Sequence, residues 1–151
     1  MAQRNDGLAD FEEQPANPHG IHMTTISFNH VNLRAPRALM EELKVFYCDI
    51  VGLEQGQRPD LESFGYWLYA GDQCVLHLSE ARPDEKHLTH IANTFDHVAF
   101  TCAERQKMEA HLKRHNIAFT TGHVPSMGIT QLFCKDPAGN GVELSFAEGP
   151  R

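Results

Sequence analysis

The stretch Phe-Asn-His-Val-Asn-Leu at residues 28–33 returns as Phe-Asp-His-Val-Ala-Phe at residues 95–100. Each copy places a histidine inside an alternation of apolar and polar residues, the period of a β-strand with one buried face. A second pairing follows farther along, between His77 in Val-Leu-His-Leu and Glu143 in Val-Glu-Leu. The separations are 97 − 30 = 67 and 143 − 77 = 66, so the halves are in register to within one residue. A repeat of this period predicts two copies of one structural unit.

Each half reads as strand, helix and three strands. In the first, residues 26–35 alternate, and residues 36–52 carry Leu39, Leu43, Phe46, Tyr47 and Ile50 at helical spacing between Pro36 and Gly52. Residues 53–58, 64–71 and 73–80 are three short strand candidates split by Gly, Pro and Asp. In the second, residues 95–102 form a strand, and residues 103–116 a helix with Met108, Leu112 and the stem of His115 on one stripe. Strands then follow at 117–121, 128–136 and 140–147. The expected fold is α+β: two βαβββ modules, residues 24–80 and 95–148, joined by a polar linker at 81–94. Residues 1–23, with Pro15 and Pro18 and no sustained periodicity, read as a flexible arm or an added leader, and Met23 could itself be a start.

A length of 151 residues with 41% apolar content is enough for a shared core. A net charge of −7 without a Lys/Arg run gives no footprint for nucleic acid or an anionic membrane. There is no apolar run long enough to span a bilayer and no signal-peptide pattern. Cys48, Cys74, Cys102 and Cys134 form no C-x-x-C pair, which suits reduced packing thiols in a cytoplasm.

Strand parity then places the polar residues. Val31 and Leu33, Leu76 and Leu78, Val98 and Phe100, and Val142, Leu144 and Phe146 share the face beneath the helices. His30, His77, His97 and Glu143 therefore share the opposite, helix-free face. If the modules curve together, three imidazoles and a carboxylate meet in one cleft, a donor set for one divalent Fe, Mn, Ni, Co or Zn ion. His77 either binds the ion directly or stands behind it as a base. His19, His22, His87, His90, His111 and His115 lie in arm, linker or helix and read as solvated. Asp136 to Gly141, Asp-Pro-Ala-Gly-Asn-Gly, reads as a tight hairpin that aims Glu143. Residues 66–69, Tyr-Trp-Leu-Tyr, read as a core strand, with stacking on a planar ligand as the alternative. Ser126, Gly128, Thr130 and Gln131 read either as a substrate-touching loop or as a solvated one, and none is taken as catalytic.

The two histidine strands, the helix segment Val-Phe-Tyr-Cys-Asp-Ile-Val-Gly-Leu-Glu at 45–54 and the closing D-P-x-G-x-x-x-E-L of residues 136–144 together resemble the vicinal oxygen chelate superfamily. This is the glyoxalase, bleomycin resistance protein and dioxygenase fold, and the resemblance spans residues 26–147. It implies a cupped sheet around a metal that chelates two neighbouring substrate oxygens. His30, His97 and Glu143 match the usual ligands, and His77 falls where glyoxalase I has a glutamate. The implied activity is that of a glyoxalase-type lyase or isomerase that stabilises an enediolate of a small α-oxo substrate, with Glu143 or His77 as the base. The alternatives are a non-haem iron extradiol dioxygenase and a metal-free antibiotic-binding protein. Against the dioxygenase, Phe133 replaces the family's tyrosine and His123 lies too far upstream. Fosfomycin-type thiol transferases share the three ligands, but their chains usually continue farther beyond the last one. The resemblance also favours a homodimer. Both arrangements of the site, within one chain or between two, are compatible with the repeat.

Overall fold

Pro36, with its fixed φ, leads into α1 (Arg37–Val45), and the Met40 amide closes the first turn on the Pro36 carbonyl at 2.9 Å. Met40 and Leu43 are its buried residues. The helix then widens into a π-helical turn, Phe46–Val51, which brings Phe46, Tyr47, Ile50 and Val51 onto the buried side. Gly52 ends it with φ of 92°, a left-handed conformation that costs glycine little. The computed structural model of the protein describes residues 27–147, so residues 1–26, and with them the N-terminal arm, His19 and His22, lie outside the described residues.

Around α1 stand β1 (Val31–Ala35), β2 (Glu54–Gln55), β3 (Gly65–Ala70) and β4 (Gln73–Glu80). They form a mixed sheet of order β1-β4-β3-β2 in which β1 and β4 run parallel. The second half repeats it. β5 (His97–Cys102), α2 (Arg105–Arg114), β6 (Thr120–Val124), β7 (Ile129–Lys135) and β8 (Gly141–Ala147) give the order β5-β8-β7-β6, with β5 parallel to β8. First and last strands of each half are therefore neighbours, as a duplicated βαβββ unit requires.

Several expected boundaries move. The second strand of the first half, expected at 53–58, shrinks to Glu54–Gln55. The strand expected at 117–121 lies instead at Thr120–Val124, where Gly122 pairs with Gln131. Ile117 and Phe119 form the connection and pack against the core. His30 falls just before β1 rather than inside it.

The parity argument holds in the register. Val31 pairs with Leu76, Leu33 with Leu78, Val98 with Val142 and Phe100 with Leu144, and all eight pack in or against one core. Leu68, Leu76, Leu78, Leu132, Val142 and Leu144 are essentially inaccessible. Each such side chain contributes roughly 1.5–3 kcal/mol relative to an exposed one. Tyr47 crosses between the halves: its ring meets Phe100 edge-on at 6.3 Å, and its hydroxyl donates to Asp136 Oδ2 at 2.9 Å.

The linker is tied at both ends. Arg34 Nε donates to Glu85 Oε2 at 2.7 Å, the Arg82 amide adds a contact at 3.1 Å and His87 Nε2 lies 3.3 Å from the same oxygen. Farther on, the His90 amide donates to the Ala138 carbonyl at 2.8 Å. His87 is thus anchored rather than solvated.

The Arg34 hydrogen bond holds the Glu85 carboxyl down at about 2, against its ordinary value of 4.5. A depressed carboxylate contributes stability above its unfolded value and loses it as pH falls toward the folded one. Glu85→Gln should therefore lower the urea midpoint at pH 6. The gap to the unchanged protein should close between pH 4.5 and 2, and a gap independent of pH over that window would refute the assignment.

Candidate metal centre

His77 and Glu143 occupy equivalent places at the centres of β4 and β8. Asn32 is paired with His77 and Ala99 with Glu143. His30 and His97 lie two residues before those partners, so each histidine sits diagonally from the polar residue of the neighbouring strand on the helix-free face. In the first half the His30 ring stacks on His77 with centroids 3.7 Å apart. In the second, His97 Nε2 lies 3.1 Å from Glu143 Oε2.

The two pairs differ in how they are held. Trp67, opposite His77 in the β3–β4 ladder, lies flat on its other face at 4.2 Å with an interplanar angle of 2°. His77 is thus the middle of a three-ring stack. Its burial, then the neighbouring His30 and Arg58, pushes the imidazole below its ordinary value of 6.5 and keeps it neutral at pH 7. Phe133 stands at the place of Trp67, opposite Glu143, and meets the His97 ring edge-on at 5.9 Å. It carries no hydroxyl where the dioxygenase pattern has a tyrosine.

Each histidine preceding its partner is also fixed from behind. His30 Nδ1 donates to Asn29 Oδ1 at 2.6 Å, and His97 Nδ1 to Asp96 Oδ2 at 2.6 Å. Glu143, only 7% exposed, accepts from Gln131 Nε2 at 2.6 Å on Oε1. Trp67, read as part of a core strand, instead stacks on His77 on the helix-free face, and Gln131, read as a loop residue, lies inside β7; Asn29 and Asp96 carried no role in the sequence. A polar residue immediately before each repeated histidine was the available signal.

The approach of β5 to β8 depends on Gly141, directly opposite His97. A Cβ there would stand 2.1 Å from the Asp96 carbonyl oxygen and 2.8 Å from His97 Cβ. In the first half the equivalent position is Val75, and there the ladder begins one residue later, at Val31 opposite Leu76. This explains why His97 is in a strand and His30 is not. Gly141→Ala should cost about 1–3 kcal/mol through the forced separation of the strands. A thermal melt superimposable on that of the unchanged protein would show that the strands separate freely.

The donors suit a divalent transition ion: neutral imidazole at His77, Nε2 of His30 and of His97, whose Nδ1 atoms are already engaged, and one carboxylate oxygen of Glu143. The four nevertheless do not converge within one chain. Among the described residues no group of three or more His, Cys, Asp or Glu lies close enough to hold an ion. The helix-bearing sides of the two halves share the core, so their open faces present two separate donor pairs. Beside His97 a cleft of about 340 Å³, lined by Phe119, Phe133, Lys135 and Gly141 among others, opens on the same face.

The remaining expected residues settle as follows. His111 Nε2 lies 2.7 Å from the Asp49 carbonyl oxygen, a link between halves rather than a solvated ring. His115 ends α2 exposed, off the buried stripe. Thr130 is fully buried, and His123 Nδ1 lies 3.1 Å from its hydroxyl. The hairpin role of residues 136–141 is borne out, with the Gly139 amide donating to the Asp136 carbonyl at 2.9 Å.

Residues 27–144 match the Glyoxalase/Bleomycin resistance protein/Dioxygenase superfamily. The chain belongs to that superfamily. Among solved structures, a glyoxalase family protein from Bacillus anthracis is 21% identical with a TM-score of 0.64, covering 85% of this chain and 100% of that one. A lactoylglutathione lyase from Agrobacterium tumefaciens is 23% identical at a TM-score of 0.58, covering 81% and 94%. A mutant of the fosfomycin resistance protein FosX from Listeria monocytogenes, complexed with Mn(II) and 1S,2S-dihydroxypropylphosphonic acid, is 13% identical at 0.63, covering 82% and 94%. These likenesses show the shared fold. No curated protein matches the chain in sequence.

Proposed function

We propose that the protein is a metal-dependent enzyme of the glyoxalase type, a lyase or isomerase acting on a small α-oxo substrate, and that it works as a homodimer. One observation carries the reading: the chain displays two donor pairs, His30 with His77 and His97 with Glu143, at equivalent places of a duplicated unit, and neither pair alone completes an ion's coordination. The first pair of one chain facing the second pair of another supplies three imidazoles and a carboxylate at each of two symmetry-related sites.

A bound divalent ion supplies Lewis acidity, worth several kcal/mol of stabilisation to an oxygen that gains charge. The residues supply the rest. Two residues can take the proton α to the substrate carbonyl: His77, neutral at pH 7, if it stands behind the ion rather than on it, or Glu143 through Oε2 if that oxygen is not given to the ion, with Oε1 kept on Gln131. The cleft beside His97 is of small-ligand size, and Phe119 and Phe133 exclude water on one side of it. The free cysteines Cys48, Cys74, Cys102 and Cys134 support a reducing compartment such as the cytoplasm. No helix among the described residues is long and apolar enough to cross a membrane.

The test is elemental analysis of the purified protein combined with light scattering. One Mn, Ni, Co or Zn ion per chain in a dimer is the expected result, with proton exchange or isomerisation of α-oxo compounds as the assay. One iron per chain would replace this reading with ring-cleaving dioxygenation. Failure to bind any of these ions after reconstitution would leave a metal-free binding protein of the same fold.

A further inference from the structure

The second donor pair is held from both outer sides by hydrogen bonds in a way the first pair is not. His97 Nδ1 donates to Asp96 Oδ2 at 2.6 Å and Gln131 Nε2 donates to Glu143 Oε1 at 2.6 Å, while the two inner atoms, His97 Nε2 and Glu143 Oε2, face each other at 3.1 Å. We propose that Asp96 and Gln131 are positioning residues, which leave His97 and Glu143 one ion-facing atom each, Nε2 and Oε2, and so make this pair the preorganised half of the site. The inference rests on the reading that these two residues hold an ion.

The chemistry follows from what each contact removes. With Nδ1–H donated to Asp96, the imidazole is held in the tautomer whose lone pair is on Nε2. A carboxylate behind the ring also raises its electron density, as the partners of metal-bound histidines commonly do. With Oε1 occupied by the Gln131 amide, Glu143 offers a single oxygen. Phe133, edge-on to His97, limits rotation of the ring from the other side.

Comparison of the two halves sets this arrangement apart from the general design of the fold. Gln131 stands where the first half has Gly65, since Gln131 pairs with Ser145 and Gly65 with Ser79. No side chain fits there: a Cβ on Gly65 would lie 2.2 Å from the Leu78 carbonyl oxygen. The partner of His30 is the neutral amide of Asn29 rather than a carboxylate. Among the described residues neither ring nitrogen of His77 has a hydrogen-bond partner, and stacking between Trp67 and His30 is what orients it. The duplicated unit has been specialised: one half fixes its donor atoms by hydrogen bonds and the other holds its rings by stacking.

The experiment uses the full chain, Co²⁺ as the probe and three variants. Gln131→Met keeps the size and removes the donor, Asp96→Ala removes the acceptor, and Asp96→Asn keeps an acceptor without the charge. Co²⁺ affinity is measured by competition and by the visible absorption of the bound ion. The ring ¹⁵N shifts of His97 are measured in the metal-free proteins. Gln131→Met and Asp96→Ala should each weaken Co²⁺ binding roughly 10–100-fold, with metal-free melting temperatures unchanged, and Asp96→Asn should recover most of the loss. In Asp96→Ala the ¹⁵N shifts should move from a single Nδ1–H tautomer to a mixture. Unchanged affinities with an unchanged tautomer overturn the proposal. An unchanged protein that binds no Co²⁺ overturns the metal reading itself, and the metal-free ¹⁵N shifts then still decide whether Asp96 sets the tautomer.

Discussion

His97→Ala and Glu143→Ala should each weaken divalent-ion binding by more than the roughly 100-fold typical of losing an outer hydrogen-bond partner, with the fold retained. Each variant removes one of the two donors of its pair, and Glu143→Ala also removes the charge that compensates the ion. His97 is exposed, so its truncation leaves no cavity. Glu143 is buried, but its neighbours Gln131 and His97 face the open side of the sheet and can turn to water. Full retention of binding by either variant would end the four-donor reading.

The same loss in His30→Ala distinguishes the arrangement of the site. If the site spans two chains, mixing His30→Ala with Glu143→Ala yields dimers in which one site carries both substitutions and the other carries neither, so half of the sites in each mixed dimer bind. If the site lies within one chain, no mixture binds. His77→Ala separates ligand from base: loss of the ion makes His77 a ligand, whereas retained ion with lost turnover makes it the base.

Much of this geometry was legible because strand parity is local. Whether His77 shares a face with Trp67 or with Leu76 is decided by alternation alone, and the observed ladder Trp67 to His77 and Leu68 to Leu76 follows that alternation. Duplication then carries the argument from one half to the other, and the one-residue difference between 67 and 66 falls between the first strand and the last two of each half. The relation between the halves is a different matter. It is set by packing around the π-helical turn, where Tyr47 reaches across to Phe100 and Asp136, and periodicity carries no information about such a contact. The separation of the two donor pairs follows from that packing, and alternation within strands does not foresee it. The start of β6 was misplaced for a related reason. Ile117 and Phe119 look like strand residues because they are apolar, yet they serve the core from a connecting segment.

The contact that sets this packing should be the most sensitive point of the fold outside the apolar core. Asp136, 3% exposed, accepts four hydrogen bonds: the Ala138 and Asn140 amides on Oδ1 at 2.9 Å each, Asn140 Nδ2 on Oδ2 at 3.0 Å and the Tyr47 hydroxyl on Oδ2 at 2.9 Å. It therefore closes the β7–β8 hairpin and fastens it to the other half. Burial and the Asp136 charge push the Tyr47 phenol well above its ordinary value, so it remains a donor at any pH the fold survives. Tyr47→Phe removes one hydrogen bond to a charged group and should cost about 1.5–3 kcal/mol. Asp136→Ala leaves the buried phenol and two amides without an acceptor and should cost about 3 kcal/mol or more, a loss of roughly 6–12 °C in melting temperature for a chain of this size. Because this hairpin leads into Glu143 seven residues on, Asp136→Ala should also weaken ion binding, whereas Tyr47→Phe should lower stability and leave affinity nearly unchanged. Urea denaturation of the metal-free proteins, with a Co²⁺ titration of each, measures both effects. If both variants unfold within 0.5 kcal/mol of the unchanged protein, the halves are held together by the apolar core alone and the Tyr47 to Asp136 contact is incidental.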